Sequence, residues 1–294
     1  MNDLAGPAPP PPARAAARPL PARVLRQPGG AIALLLVAVL VVLALLAPWL
    51  TPFEPTKMGA GRPLTPPGGP HPFGTDELGR DVFTRIAFGA RLTLWIGAVA
   101  VGISLTTGLA IGLVAAYARG PLEAILMRAT DMLFSFTETL IALAFVAVLG
   151  PSLTNAMIAV GVAGIPFYAR TAYAAALAER SKPYFEGAVA AGAGHARLLF
   201  RHLLPNVWPT MIVVASLGLS NAILAAAALS FLGLGAQPPQ PEWGAMLSAG
   251  RDFFNRAPWL MLYPGLAIAL TVLAFNLAGD ALREALDPRS EGRA

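Results

Sequence analysis

Acidic and amide side chains interrupt three otherwise apolar runs of this sequence. Glu138 lies well inside one run, and Asn221 and Asn276 lie in two others. If these runs cross a membrane, such groups are costly there and usually face protein or water, so all three are candidates for lining a polar path. Glu138 could serve as a proton-carrying group or as a buried, hydrogen-bonded glutamate. Asp131 lies near the end of its run and is expected to pair with Arg128 one turn away.

The histidines and lysines form no recognisable catalytic or metal-binding pattern. His71, His195 and His202 match no His-Glu-x-x-His zinc motif, and no Gly-x-Ser-x-Gly elbow is present. Neither Lys57 nor Lys182 follows the phosphate loop Gly-x-x-x-x-Gly-Lys-Ser/Thr, so the chain has no ATPase site of its own. We expect no catalytic residue, metal or cofactor in this chain, and we expect His195 and His202 to face solvent or a docking partner.

A second charged group lies in residues 51–91, a polar segment dense in proline and glycine. Asp76 and Asp81 flank Arg80 there. Two carboxylates at this spacing suit a cation or peptide site, but alternating charges more often form local ion pairs. We therefore predict an ion-paired cap over the ends of the apolar helices.

Residues 181–206 form a polar island between apolar runs. Ser181 is placed to cap a helix, Pro183 is tolerated in its first turn, and Glu186 complements the positive end of its dipole. Gly192 and a second glycine two residues later then weaken the helix. The pattern predicts a short helix that ends at a glycine bend.

A second helical run follows the bend. Arg197 and Arg201 lie one turn apart on one face, and Leu199 and Leu203 lie one turn apart on another. The Pro-Asn pair at 205–206 is expected to stop this helix. Two short helices joined at a glycine and held between apolar runs are typical of a docking element.

The composition places these elements in a membrane. Hydrophobic residues make up 56% of the chain, charged residues only 13%, and the mean hydropathy is +0.62. Ordinary soluble domains have about 25% charged residues. The net charge of +5 comes without a basic cluster interleaved with aromatics, which argues against nucleic-acid binding. Cysteine is absent, which excludes disulfides and thiolate sites, so the composition indicates an integral membrane protein without them.

Six apolar segments are long enough to cross a bilayer, and they predict an all-α membrane protein with six transmembrane helices. They cover residues 31–50, 92–116, 130–149, 155–173, 207–234 and 258–277. The first is interpreted as an uncleaved anchor, because it is longer than the apolar region of a typical signal peptide. The short gap after the third predicts a tight hairpin. Residues 1–30, rich in proline, alanine and arginine, are expected to be disordered.

Small residues mark the second apolar segment. Gly97, Gly102, Gly108 and Gly112 recur along it at spacings that allow close contact with neighbouring helices. We expect this segment to lie inside a helix bundle.

The distribution of positive charge predicts an orientation. With the amino terminus inside, fourteen Lys and Arg residues fall on the cytoplasmic side and seven on the other. This excess favours both termini in the cytoplasm. Residues 181–206 then also face the cytoplasm.

Several motifs resemble a known family. Glu186-Gly187-Ala188, then Gly192, then Leu204-Pro205 resemble the "EAA" loop of permease subunits in ATP-binding-cassette (ABC) importers. The segments 71–91, 228–247 and 257–289 resemble the peptide/nickel branch of that family, and Trp243 in the second of them suits a membrane interface. The resemblance covers residues 31–289.

The resemblance implies the type I ABC importer permease fold. It divides the chain into a first transmembrane helix at 31–50, an extracytoplasmic loop at 51–91, a five-helix core at 92–281 with a cytoplasmic coupling loop at 181–206, and a cytoplasmic tail at 282–294. The family often has a proline just before the position of Glu138; Thr137 stands there in this chain, which predicts that a local helix break is missing.

In the family this loop seats a short coupling helix in a groove of a separate ATPase. The residues that the resemblance assigns to coupling are Glu186, Gly187, Ala188, Gly192, Arg197, Arg201, Leu204, Pro205 and Asn206. The implied partners are a second homologous permease, two ABC ATPase subunits that bind ATP and Mg²⁺, an extracytoplasmic solute-binding protein and the lipid bilayer.

The implied function is half of the translocation pathway of an ATP-driven importer in the bacterial inner membrane. Its solutes would be dipeptides, oligopeptides or nickel complexes. An ion-coupled secondary transporter that uses Glu138 as its proton site is the alternative.

Overall fold

The computed structural model describes residue 27 and residues 29–286. These residues form helices and loops, with two isolated bridges in the loop before the second helix, so the all-α prediction is confirmed. The helices are α1 (Gly30–Leu50), α2 (Val82–Ala118), α3 (Pro121–Phe134), α4 (Glu138–Leu149), α5 (Leu153–Arg180), α6 (Pro183–Ala190), α7 (His195–Phe231), α8 (Trp243–Gly250) and α9 (Trp259–Leu286). The predicted disorder of residues 1–30 falls almost wholly outside the described residues, as do positions 287–294 of the predicted tail.

The predicted number of six membrane-crossing helices is not fully confirmed by the length and composition of the described helices. By length and apolar composition, four of the described helices can cross a bilayer, namely α1, α2, α7 and α9. The α3–α4 pair passes the same test as one unit bent by 90°, which makes five. Helix α5 is also long, with 28 residues, but Arg170 and the polar residues at its two ends make it less apolar. It packs along α2, and contact with protein lowers the need for an apolar surface.

The bend between α3 and α4 contradicts the prediction that no helix break precedes Glu138. The helix ends at Phe134 and starts again at Glu138, and Thr137 between them is extended, with φ −64° and ψ 136°. The hydroxyl of Ser135 donates to Met132 O at 2.6 Å. Hydroxyl side chains compete in this way with helical backbone bonds, so a break forms here without a proline.

The predicted tight hairpin after α4 is confirmed. Three residues separate α4 from α5, and Ser152 caps α5 by accepting a bond from the N–H of Asn155 at 3.1 Å. The amide of Asn155 in turn donates to Leu149 O at 2.8 Å and to Gly150 O at 2.9 Å. One asparagine thus satisfies carbonyls at the end of the preceding helix and holds the two helices antiparallel.

The core of the bundle is the contact of α2 with α5, which glycines bring close. A Cβ on Gly108 or Gly112 would lie within 2.8 Å of the backbone of Ala169, and Ser104 donates its hydroxyl to Gly161 O at 2.6 Å. Small residues let helix backbones approach in this way. The close contact predicted for this segment is therefore confirmed at these two glycines.

The first two of the four predicted glycines differ from each other. A Cβ on Gly97 would lie 2.8 Å from Ile223 on α7, so this glycine also serves a helix contact. A Cβ on Gly102 would meet nothing within 4 Å. The prediction of close contact is wrong for Gly102, because the rotation of α2 turns this position away from its neighbours.

The predicted ion-paired cap before α2 is confirmed. Arg80 pairs with Asp76, and both are nearly fully buried. Asp81 caps α2, accepting from the N–H and the hydroxyl of Thr84 at 2.7 Å each, and its other oxygen lies 2.9 Å from His71 Nδ1. Buried charges of this kind persist only when paired and hydrogen-bonded, so this loop is an ordered lid on the bundle end.

The prediction that Trp243 lies at a membrane interface is wrong, because its side chain is fully buried. Its indole N–H donates to Ile86 O at 3.1 Å, and Gly89 leaves the space for the ring. The neighbouring Glu242 caps α8, accepting from Gly244 N at 2.9 Å and from the next residue's N–H. The cap turns the loop back toward the bundle and so inserts the tryptophan between helices.

Replacing Gly112 by alanine is expected to push α5 away from α2, because the new Cβ would lie 2.5 Å from Ala169 O. Overpacking of this kind costs about 1–3 kcal/mol. Gly102→Ala, on the same helix, meets nothing within 4 Å and should be neutral or stabilising by about 0.5–1 kcal/mol. Thermal unfolding of the purified chain in detergent, followed by tryptophan fluorescence, compares the two; equal midpoints would contradict the close α2–α5 contact.

Candidate functional site

The polar island of the sequence is a helical hairpin, and we call residues 183–206 the polar hairpin. It consists of α6, a bend and the first turns of α7. Most of its side chains are exposed, but Phe185, Leu198 and Leu203 are 4%, 4% and 0% exposed and pack into the main core. The hairpin is therefore a surface element with three apolar anchors.

Gly192 forms the bend through a specific hydrogen-bond pattern. Its φ is +76°, and its N–H donates to Val189 O at 3.0 Å, while Ala193 N–H donates to Ala188 O at 3.1 Å. This pair of bonds is the Schellman motif, whose turning residue is left-handed and usually glycine. A Cβ at Gly192 would meet no atom within 4 Å, so the requirement for glycine is conformational and not steric.

The start of the hairpin differs in one detail from the prediction. Ser181 does not cap α6, because its hydroxyl donates to Ala178 O at 2.9 Å at the end of α5. Lys182 occupies the cap position without a side-chain bond, Pro183 is the first helical residue, and Glu186 lies in the first turn as expected. The cap is lost because the two helices are only two residues apart, so Ser181 still belongs to the end of α5.

The second helix of the hairpin does not stop at Pro205 and Asn206, which corrects the prediction. Residues Leu198–Leu203 form a π-helical segment, and α7 then continues through Pro205 to Phe231. Leu204 N–H donates to Leu199 O, five residues back. A proline breaks a helix because it lacks an N–H and crowds the carbonyl four residues earlier. The wider π turn before it changes the bonding register, so the chain stays helical.

The same π segment carries the leucines that anchor the hairpin. Leu198 and Leu203, five residues apart, are buried, whereas Leu199 is only partly buried. Leu199 packs against the same core as Leu203, as the predicted leucine face requires, and Leu198 adds a second buried contact. Arg197 and Arg201 are both exposed, and no ion pair or hydrogen bond to either side chain is found within residues 29–286.

The exposed surface of the hairpin combines acidic, basic and apolar groups. Phe200 is 70% exposed and Val189 is 52% exposed. Glu186, Arg197 and Arg201 are exposed beside them. Gly187 is also exposed and Ala188 is half-buried, and nothing lies within 4 Å of a Cβ on Gly187. Exposed aromatic and arginine side chains are enriched where proteins bind one another.

Asn206 ties the end of the hairpin to its beginning. Its amide donates to His202 O at 2.6 Å and to the hydroxyl of Tyr184 at 3.2 Å. Tyr184 donates in turn to Glu179 at 2.8 Å, and Lys182 pairs with the same carboxylate. Burial and then the hydrogen bond to Glu179 raise the pKa of Tyr184 to about 12, so its hydroxyl stays protonated and keeps this bond at neutral pH.

Arg180 joins the hairpin to the bundle, and sequence reasoning missed it. Its guanidinium donates to Ala116 O and, at 2.7 Å, to Tyr117 O, which are carbonyls of the last turn of α2. Its Cζ lies 5.7 Å from the ring centroid of Tyr117 and 5.8 Å from that of Phe185. A cation at a helix carboxyl end favours the helix dipole. In the sequence, the role of Arg180 is indicated only by the position of a basic residue at the end of a helix, and this position does not identify the groups that Arg180 contacts.

The two histidines of the polar hairpin lie beside the end of the helix bundle. His195 is exposed and its Nδ1 bonds to the hydroxyl of Tyr117, while His202 is half-buried near the ring of Tyr184. The exposure predicted for His195 is confirmed, and that of His202 only in part. In the part of the chain that the structure describes, no three His, Asp or Glu side chains converge to hold a metal ion.

Glu138 and Asn221 line one cleft, whereas Asn276 does not. The cleft has a volume of about 270 Å³ and lies between the α3–α4 break, α5 and α7. Asn276 is exposed on α9, elsewhere on the bundle. The structure therefore brings together two of the three residues predicted to line a path.

Asp131 pairs with Arg170 at 2.9 Å. The predicted pair of Asp131 with Arg128 is therefore wrong. The Cζ of Arg170 also lies 5.4 Å from the ring centroid of Phe134. The correction has a simple cause: α5 packs beside α3 and offers a cation that the local sequence does not reveal.

Helices that cross a membrane, a broken pair beside a polar cleft and an anchored exposed hairpin define the transmembrane subunit of a transport system. Residues 108–292 match the family described as binding-protein-dependent transport system inner membrane component, and residues 22–67 match the N-terminal transmembrane domain of oligopeptide transport permease C. The chain belongs to the family of binding-protein-dependent transport system inner membrane components.

Relatives and solved structures agree with this assignment. The Di/tripeptide transport system permease protein DppC of Pseudomonas aeruginosa (strain UCBPP-PA14) is 46% identical over 267 residues, which cover 89% of this chain and 88% of the relative. The Dipeptide transport system permease protein DppC of Escherichia coli (strain K12) is 45% identical over 270 residues, 90% of each chain. A chain of the inward-facing MetNI methionine ABC transporter matches with a TM-score of 0.58 and 19% identity, covering 69% of this chain and 97% of that one, so the fold is that of an ABC importer permease.

Gly192→Val is expected to open the bend of the hairpin, because a β-branched residue at φ +76° costs of order 1–3 kcal/mol. The rate of tryptic cleavage at Arg197 and Arg201 in the purified protein measures this opening and should rise about 5- to 100-fold. Gly192→Asn should change it little, because asparagine tolerates the left-handed region. Gly194→Ser, at φ −68°, is the control; equal cleavage of Gly192→Val and this control would refute the strained bend.

Arg180→Met is expected to destabilise the protein by about 1–3 kcal/mol, because methionine fills space but leaves two carbonyls at the end of α2 without their charged donor. Arg170→Met removes an ion pair whose side chains are 51% and 47% exposed, and such pairs are worth about 0–1 kcal/mol. Thermal midpoints in detergent compare the two variants. A larger loss for Arg170→Met would contradict the role assigned to Arg180.

Proposed function

We propose that this permease is one half of the translocation pathway of an ATP-driven importer of dipeptides or oligopeptides, with nickel complexes as the alternative solute. The polar hairpin docks in a groove of a separate ATPase subunit. The observation that carries this proposal is that the hairpin is exposed on its outer face and anchored on its inner face. The peptide solute is supported by relatives named for dipeptide transport at 45–46% identity.

The hairpin is suited to transmit movement in two directions. Through Arg180 and Phe185 it contacts the ends of α2 and α5, and through the π segment it is continuous with α7. When ATP binding brings two ATPase subunits together, the hairpins move with them, and the attached helices turn the pathway from inward-facing to outward-facing. Glu186, Gly187 and Ala188 form the docking helix, and Gly192 forms its bend. Arg197 and Arg201 contact the ATPase, and Leu204, Pro205 and Asn206 lead back to the bundle.

The complete transporter has further components. A second homologous permease supplies the other half of the pathway, and two ABC ATPase subunits bind ATP and Mg²⁺. A solute-binding protein delivers the solute from outside. In this arrangement both termini of the permease and the polar hairpin face the cytoplasm, and Glu138, Asn221 and Asn276 belong to the translocation path.

The test is to purify the tagged permease from membranes of cells that express the whole system and to identify associated subunits by mass spectrometry. Glu186→Lys reverses an exposed charge on the hairpin and should lower the recovered ATPase at least about tenfold, as expected when a charge is reversed at an interface. Asp252→Lys is the matched control, since Asp252 is exposed beyond the opposite end of α7.

Two results would overturn the proposal. Equal recovery of ATPase with Glu186→Lys and with the unmodified chain would remove the docking role of the hairpin. A chain that purifies alone, in cells whose uptake survives ATP depletion but collapses with the proton gradient, would establish an ion-coupled carrier instead.

A further inference from the structure

The cleft between α4, α5 and α7 carries a negative group among aromatic rings. We call it the Glu138 cleft, and it is lined by Glu138, Asn221, Phe134, Phe136 and Phe167 with smaller apolar neighbours. Its volume of about 270 Å³ is just below the range of about 300–1,000 Å³ for small-molecule pockets. The cleft therefore has room for one end of a solute and not for a whole peptide.

The polar groups of this cleft have unused bonding capacity. Within residues 29–286 no hydrogen bond or ion pair involves the side chain of Glu138 or of Asn221. The nearby cation Arg170 is already paired with Asp131 at 2.9 Å. Ionisable groups in a membrane-crossing element usually pair with protein or face the substrate path. Glu138 stands in the first turn of α4, where the helix dipole stabilises a carboxylate.

The combination of groups selects one kind of ligand. A carboxylate forms strong, charge-assisted hydrogen bonds with an ammonium group. The faces of aromatic rings attract the same cations within about 6 Å, and phenylalanine side chains line the cleft on two sides. The amide of Asn221 can bond a neighbouring peptide carbonyl or N–H. An anionic end would be repelled by Glu138, and a neutral end would not repay its desolvation.

We propose that the Glu138 cleft is a transient subsite for the α-ammonium end of the translocated solute, an inference that rests on the proposed import of peptides. Glu138 holds the ammonium group, Phe136 and Phe167 lie beside it, and Asn221 contacts the first peptide unit. The cleft is open on one side, and a single charge pair that is not enclosed is weak. Weak binding suits this position, because a solute in a transport path must leave again.

The absence of cysteine from the native chain allows a direct test. Asn221→Cys places a single thiol of this chain in the cleft, and its modification by a cationic and an anionic methanethiosulfonate reagent is followed in the purified complex. Leu232→Cys, 58% exposed beyond the end of α7, is the matched reference thiol. Glu138→Gln should lower the ratio of cationic to anionic rates at position 221 by about tenfold, because removing one negative charge at roughly 6 Å in water slows the cationic reagent and speeds the anionic one. The ratio at position 232 should stay constant.

The second measurement identifies the occupant. A dipeptide with a free α-ammonium group, at about twice its dissociation constant, should slow modification at position 221 about threefold, whereas its N-acetylated form should not. Equal protection by both forms, protection by neither, or a reagent ratio that Glu138→Gln leaves unchanged would each overturn the subsite. Uptake of labelled dipeptide by the unmodified system is measured in parallel. If uptake is absent, the peptide-import function itself fails; if uptake is present while the ratio does not change, only the subsite fails.

Discussion

The close contact between α2 and α5 is the constraint on which the other parts depend. Glycines at 108, 112 and 161 let the two backbones meet, and a Cβ at any of them would overlap its neighbour. Inside a bilayer, apolar side chains gain little by leaving lipid, so helix association relies on such close packing and on interhelical bonds like that of Ser104. This contact between α2 and α5 fixes the position of the end of α5, and the polar hairpin begins just after that end.

Arg180 links the contact between α2 and α5 to the polar hairpin. It satisfies carbonyls at the end of α2, stacks near Phe185 on α6 and lies in the last turn of α5. A displacement of α6 must therefore also displace the ends of α2 and α5. At the other end of the hairpin, the π segment is part of α7, and the far half of α7 lines the Glu138 cleft through Asn221. The polar hairpin and the Glu138 cleft are connected by continuous helix and without a flexible loop.

The sequence allows the local features of this arrangement to be predicted. The apolar runs, the glycine bend at Gly192, the first-turn carboxylate of Glu186 and the short α4–α5 turn all depend on neighbours within a few residues, and each appears in the structure. The features that could not be predicted depend on residues far apart in the chain. Asp131 pairs with Arg170 because α5 lies beside it, and Trp243 is buried because the loop between α7 and α8 folds back onto the bundle.

Helical register explains the remaining differences. A single π turn shifts every later side chain around the helix axis, so Leu198, five residues before Leu203, is buried together with it. Asn221 and Asn276 look equivalent in sequence, but the rotation of each helix decides which faces the cleft. Rotation is fixed by packing against neighbours, which a single sequence does not display.

The bond between Tyr184 and Asn206 closes the hairpin into a triangle whose third corner is the bend at Gly192. In structural engineering, an element fixed along one leg is a cantilever, and a load at its tip is absorbed by bending. An element with both legs fixed is a truss, and a load at its tip becomes tension in one leg and compression in the other. The legs of this triangle are α6, which follows α5, and the first turns of α7, so a push at the bend is passed on to both α5 and the rest of α7.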